Sequence, residues 1–311
     1  MSRTLPLLNA TTGLNNRVDP ARLAYDYKNG VSELAAAVNC DIDDTGRLVR
    51  RRGRSLLSSS SFHSLFDAGA YLLGVSGSAL YTIILDLAGA TVTATAIAVV
   101  TAGARVRYQA AADGRDQRVY WVNGFESGIV TNGANAAYAG GAYVGPPITR
   151  TINTTPPYGA HLITLYHGRM YLAVGNALYP SEHLGFAWFD YERATLFDSR
   201  LRMLRAVAGG VWVSTERRIV FLSGPTLTEL SPRVMAGYPA VEGTDVLVDG
   251  ETLGAGKFQG QQLLVTTSEG ICLCGADGSF TPLTQERLVL PSARSGNAAV
   301  VDGKYIVNLD P

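Results

Sequence analysis

The chain has 311 residues, 47% of them apolar and 17% charged. That is ample material for a core, which excludes a disordered chain and leaves two domains or one repetitive domain. Lysine plus arginine and aspartate plus glutamate each number 26, so no net charge draws the protein to nucleic acid or to anionic membrane.

The first eight residues lack the apolar stretch of a secretory signal, so no Sec-type export is expected. Residues 1–30 read as an extended arm, and residues 31–311 as the folded domain. Two short apolar runs follow, at 33–42 and 47–50, joined by Asp43-Asp44-Thr45-Gly46. Asp41, Asp43, Asp44 and Gly46 match the start of a calcium loop. The twelfth position, where a bidentate glutamate belongs, is Arg52, and an Asx-type hairpin turn is the alternative. Arg47, Arg50, Arg51, Arg52 and Arg54 crowd into eight residues. They could grip phosphate or an acidic partner, pair with Asp43 and Asp44 on an outer strand, or form a protein contact. Residues 87–104 are uncharged and long enough to be tested as a membrane span. Thr91, Thr93 and Thr95 alternate there with Val92, Ala94 and Ala96. Period two makes this a strand, and no membrane insertion is expected.

Six apolar runs share one shape, at 71–75, 119–122, 170–174, 211–213, 263–265 and 305–307. Most are flanked by turns such as Asp113-Gly114, His167-Gly168, Gly209-Gly210 and Glu269-Gly270. Such pairs tolerate the positive φ angles of hairpins. The valines that end the runs, at 75, 122, 174, 213, 265 and 307, lie 39 to 52 residues apart. Hairpins repeating at that period are the mark of propeller blades, and runs apolar at nearly every position suit strands buried on both faces. Glycine, 34 of 311 residues, agrees with many turns. The expected fold is all-β: a six-bladed β-propeller with a composite N/C-terminal closing blade and an extended N-terminal arm. The closing blade would join residues 297–301 and 304–309 to 33–42 and 47–50. Five or seven blades, or a pair of β-sandwiches, are the alternatives. Residues 184–204 fit no strand rhythm and read as a loop or short helix, and Pro146-Pro147 and Pro156-Pro157 bracket a linker-like crossing.

Catalytic patterns are scarce. No Gly-x-Ser-x-Gly elbow, P-loop or His-Glu-x-x-His motif occurs, and the glycines at 254, 256 and 260 are misspaced for a dinucleotide fingerprint. His63, His161, His167 and His183 lie far apart. Cys40, Cys272 and Cys274 cannot build a disulfide framework. Cys272 and Cys274, two apart on one strand, could share a soft metal but read first as buried core. Residues 276–280 lack the serine and tryptophan of the sialidase turn Ser-x-Asp-x-Gly-x-x-Trp. No enzyme activity, cofactor or metal is expected.

Gly13-Leu-Asn-Asn-Arg17 and the stretch 33–53 resemble the opening of tail structural proteins of tailed bacteriophages. Residues 168–182, 215–224 and 269–275 look like blade motifs of the same group. The chain is most similar to the tail nozzle, or tail-stabilisation, proteins of short-tailed phages. The resemblance implies a virion protein, assembled in the host cytoplasm, that forms a homo-oligomeric ring of six copies. The ring would sit beneath the portal and adaptor rings, beside other tail proteins, with genome DNA passing along its axis. Under this reading Leu14, Asn15, Asn16, Arg17 and Tyr25 contact another subunit, and Arg50, Arg51 and Arg52 add to that interface. A glycan-binding or glycan-cleaving propeller acting on a host surface is the alternative, and a general propeller scaffold of a cell a third.

Overall fold

The computed structural model describes residues 10–23, 25–26, 31–38, 40–42, 47–50, 56, 58–113, 116–145, 150–224, 231–253, 259–284, 287–301 and 303–310. Arg51, Arg52, Asp43, Asp44 and Gly46, along with Pro146 and Pro147, lie outside these residues. Apart from two 3-10 turns and one helical turn, α1 (Gly250–Leu253), the regular structure among the described residues is β.

The N-terminal region forms a small sheet of β1 (Ala10–Leu14), β2 (Tyr25–Asp26) and β3 (Val31–Leu34), in the order β1-β3-β2. A separate hairpin pairs β4 (Cys40–Ile42) with β5 (Leu48–Arg50). Five antiparallel blades follow. The first is β6 (His63–Asp67), β7 (Leu72–Ser76), β8 (Ala79–Asp86) and β9 (Thr91–Val99). The second is β10 (Arg107–Asp113), β11 (Asp116–Val122), β12 (Ser127–Thr131) and β13 (Ala134–Ala137). The third is β14 (Leu162–Tyr166), β15 (Arg169–Val174), β16 (Ala177–Glu182) and β17 (Gly185–Phe189), with β18 (Thr195–Leu196) also paired to β16. The fourth is β19 (Leu201–Val207), β20 (Gly210–Thr215), β21 (Ile219–Ser223) and β22 (Ser231–Ala236). The fifth is β23 (Val246–Asp249), β24 (Gln261–Thr267), β25 (Gly270–Cys274) and β26 (Phe280–Pro282). The chain ends in a two-stranded hairpin, β27 (Ser295–Val301) and β28 (Lys304–Asp310). This is a β-propeller of five blades.

Each of the six apolar runs falls on the second strand of its sheet: β7, β11, β15, β20, β24 and β28. The reason is burial on both faces. In β15, Met170 and Leu172 pack with Tyr120 and Val122 of the second blade, whereas Tyr171 and Ala173 pack with Val211 and Val213 of the fourth. None of Met170, Tyr171, Leu172 and Ala173 has exposed surface. Alternate residues of one strand thus serve two different interfaces, so apolar side chains occupy both of its faces. Fully burying each of the larger side chains is worth about 1.5–3 kcal/mol. The apolar clusters accordingly lie between neighbouring blades, first with second, second with third, and so on to the fifth. A smaller cluster joins Val248, Leu264 and Leu273 of the fifth blade to Val300 and Tyr305 of the hairpin.

Tight turns fix the registers. His167 and Gly168 have φ of 45° and 69°, which joins β14 to β15 in the type I′ geometry that matches strand twist. The run at 87–104 is strand, as its period demanded, and supplies β9.

The described sheets make five blades, and one expectation, for residues 184–204, is corrected. The sixth repeat is present as β27–β28, but among the described residues no third strand bonds to the outer edge of β28, and β4–β5 pairs only with itself. Within residues 1–30, β1 lies parallel to β3 and β2 antiparallel to it. Within the stretch 184–204, residues 185–196 form the outer edge of the third blade, split into β17 and β18, and residues 201–204 open β19 of the fourth. Asp190, whose carboxylate accepts from Glu192 N, starts a 3-10 turn between β17 and β18 and interrupts the strand pattern.

Candidate functional site

The arm is held to the body of the same chain by a short polar run. Asn15 is buried; its backbone N donates to Leu34 O at 2.8 Å and its Nδ2 to Glu33 Oε2 at 3.0 Å. Its Oδ1 accepts from Arg17 N at 3.2 Å, an Asx turn that sets the direction of the following residue. Asn16 then clamps the segment that follows the fifth blade. Its backbone N donates to Arg287 O at 3.0 Å, Nδ2 donates to Val289 O at 3.0 Å, and Oδ1 accepts from Val289 N at 2.7 Å. Arg17 lies 3.8 Å from Glu269 in the β24–β25 turn, with both side chains substantially exposed. Leu14 ends β1 opposite Leu34, and Tyr25 sits in β2 opposite Ser32. The structure therefore places Leu14 and Asn15 against β3, and Asn16 and Arg17 against residues 287–289 and the β24–β25 turn of their own chain. Arg50 is separate from them, exposed at the end of β5 opposite Cys40.

A second constellation, unnoticed in the sequence, lines the axis. The first strands of the blades face the centre, and their ends enclose a cavity of about 470 Å³. His63, Arg105, Arg107, Tyr108, Arg205 and Asp245 are in its wall. Asp245 is buried, with Arg205 Nε donating to its Oδ2 at 2.5 Å and Arg107 Nη2 lying 3.5 Å from Oδ1. Burial alone would raise the Asp245 pKa, but Arg107 and Arg205 outweigh it and hold the carboxyl below its usual range. For Arg107 burial pulls the pKa down, with Asp245 opposing and Arg205 adding to it. Arg105 ties the C-terminal hairpin to the centre. It donates through Nη1 to Gly296 O and through Nη2 to Asp310 Oδ2, the latter at 2.9 Å. Burial, then Arg105, lowers the pKa of His63, which keeps its imidazole neutral at pH 7.

The remaining candidates are placed in the packing. His161 Nε2 lies 2.8 Å from Leu201 O, and burial lowers its pKa. His167 stacks on Tyr166 at the turn. Cys272 and Cys274 are buried between the fourth and fifth blades, where burial pushes both thiols up.

No protein-family model and no curated protein matches this chain. Solved structures do resemble it. The extracellular domain of BT4673 from B. thetaiotaomicron aligns with a TM-score of 0.51 at 11% identity, over 86% of this chain and 32% of its own. BF1038 from Bacteroides fragilis gives 0.47 at 10% identity, over 85% and 75%. The N-terminal domain of Nup159 gives 0.44 at 9% identity, over 86% and 77%. The chain thus spans about a third of the BT4673 domain, and at such identity the likeness concerns the fold alone. What this chain shares with that neighbour is its fold, over a third of the neighbour's length.

Proposed function

We propose that this chain is a non-enzymatic structural subunit of a bacteriophage tail, a nozzle-type protein. It assembles with copies of itself, six by the resemblance, into a ring that delivers genome DNA and abuts a portal or adaptor ring. The observation that carries the reading is the half-built sixth repeat. The outer edge of β28 is unpaired among the described residues, and β4–β5 is a hairpin with Leu48 and Val49 about 40% exposed. An open edge is a template for strand addition. In this reading β4–β5, from the same chain or from the next copy, lies along β28 and completes a sixth, composite blade. The clamp that Asn16 makes on residues 287–289 is the kind of contact that neighbouring copies can exchange in a ring. The resemblance of residues 13–17 and 33–53 to phage tail proteins supports the same picture.

The test compares the full chain with one lacking residues 1–50, by light scattering, negative-stain microscopy and amide exchange. The full chain is expected to form symmetric rings and to protect the outward amides of Lys304–Asp310, and the truncated chain to do neither. A full chain that stays monomeric, with those amides exchanging equally fast in both proteins, overturns the reading.

Host-surface glycan recognition is the second reading, and the polar axial cavity favours it. Because two arginines hold Asp245 ionised, that site suits binding better than acid catalysis.

A further inference from the structure

The axial cavity holds more positive charge and more donors than the protein itself uses. Arg105, Arg107 and Arg205 line it, and Arg200 lies behind, 3.8 Å from Glu242. The acids within this group are Asp245, Glu242 and Asp310, so four arginines face three carboxylates. Two of the arginines have hydrogen-bond partners in the protein. Arg205 Nε donates to Asp245, and Arg105 donates to Gly296 O and Asp310.

Arg107 is different. Its Nη2 is buried yet makes no hydrogen bond in the protein, because 3.5 Å to Asp245 Oδ1 is too long. The hydroxyl of Tyr108, also in the cavity wall, is a second buried polar group without a partner. Leaving such groups unmatched is costly, and two beside one cavity mark a place where a ligand supplies the missing acceptors. The rest of the wall supplies His63, Ser64 and Asn297; Asp245 accepts from Arg205 through Oδ2, while its Oδ1, also buried without a hydrogen bond, lies 3.5 Å from Arg107, so an incoming oxyanion takes up the donor that this carboxylate only partly engages. The volume, about 470 Å³, is in the range of small-molecule sites and suits a molecule the size of a sugar acid or sugar phosphate.

We infer that the axial cavity binds a small molecule through an oxyanion group, carboxylate or phosphate, which accepts from Arg107 and is capped by the Tyr108 hydroxyl. A guanidinium favours such groups because its donors form a planar fork, and charge-assisted bonds strengthen where water is excluded. The inference does not depend on ring assembly, since all the residues come from one chain.

The experiment is isothermal titration of the full chain with inorganic phosphate and, separately, with glucuronate. Saturable binding of at least one is expected, and which one distinguishes phosphate from carboxylate recognition. Arg107→Met should weaken it by about tenfold or more. Arg107→Lys, which keeps the charge but not the fork, should also weaken it and serves if the methionine variant fails to fold by circular dichroism. Arg50→Gln, at the exposed end of β5, should bind as the parent does. The inference is overturned if neither anion binds saturably, if binding survives at parental strength in the folded Arg107 variants, or if Arg50→Gln abolishes it.

Discussion

Trp212 tests whether packing between blades holds the propeller together. The residue has no exposed surface. Its Nε1 donates to Gly275 O at 3.1 Å, and its ring lies 4.8 Å from Phe221 and 6.2 Å from Phe280. One side chain of β20 thus joins the fourth blade to the fifth. Trp212→Ala removes a buried indole, about 3–5 kcal/mol, and strands a buried carbonyl, about 1–3 kcal/mol. A loss of about 5 kcal/mol is expected, enough to consume the lower end of the ~5–15 kcal/mol that stabilises a typical domain. Trp212→Phe keeps one ring but loses the N–H and part of the volume, and should cost about 2 kcal/mol. Urea unfolding followed by far-ultraviolet circular dichroism reads both, with midpoints compared at a common slope. The half-buried Trp188, which bonds Gly141 O at 3.0 Å, is the control, and its alanine variant should lose only about 1–2 kcal/mol. If Trp212→Ala costs less than about 1 kcal/mol, or no more than the control, the interblade account of stability is wrong.

Two further outcomes follow from the site geometry. Asn16→Ala removes both side-chain bonds to Val289 at an exposed position, so it should cost about 1 kcal/mol overall yet speed proteolysis within residues 1–30 several-fold. Unchanged cleavage would mean that the clamp does not secure the arm. For Asp245 the folded pKa lies below the unfolded value of about 3.9. The unfolded chain then binds more protons through that window, so the stabilisation is complete above about pH 4 and is lost as pH falls through the folded pKa. Thermal melts should show a steeper acid decline for the parent than for Asp245→Asn, and identical slopes would rule out the carboxylate as the source.

What was legible in the sequence depended on how many faces of a strand are covered. The second strands carry unbroken apolar runs because two neighbours pack on them, and Val211, Trp212 and Val213 announce themselves for that reason. Outer strands such as β22, whose first four residues are exposed, carry no such run. The split edge of the third blade was illegible because Asp190 caps a turn in its middle. The axial arginines escaped notice because Arg107 and Arg205 look like ordinary polar members of alternating strands. Only the circular arrangement of the blades carries residues 105, 107, 205 and 245 to one place. In the sequence, Leu14, Asn15, Asn16, Arg17 and Tyr25 read as contacts to another subunit; the intrachain partner Val289 lies 273 positions from Asn16, beyond any local pattern.

Sharing every apolar cluster between consecutive blades has a consequence for synthesis. A blade emerging from the ribosome has one greasy flank that stays wet until the next blade arrives, so burial proceeds in the order of translation. The flank of the fifth blade is covered last, because Val300 and Tyr305, which cover it, follow all five blades in the chain. A ribosome paused shortly before residue 295 would therefore hold a nearly finished wheel with one sticky spoke, the species most prone to clump with its siblings on a polysome.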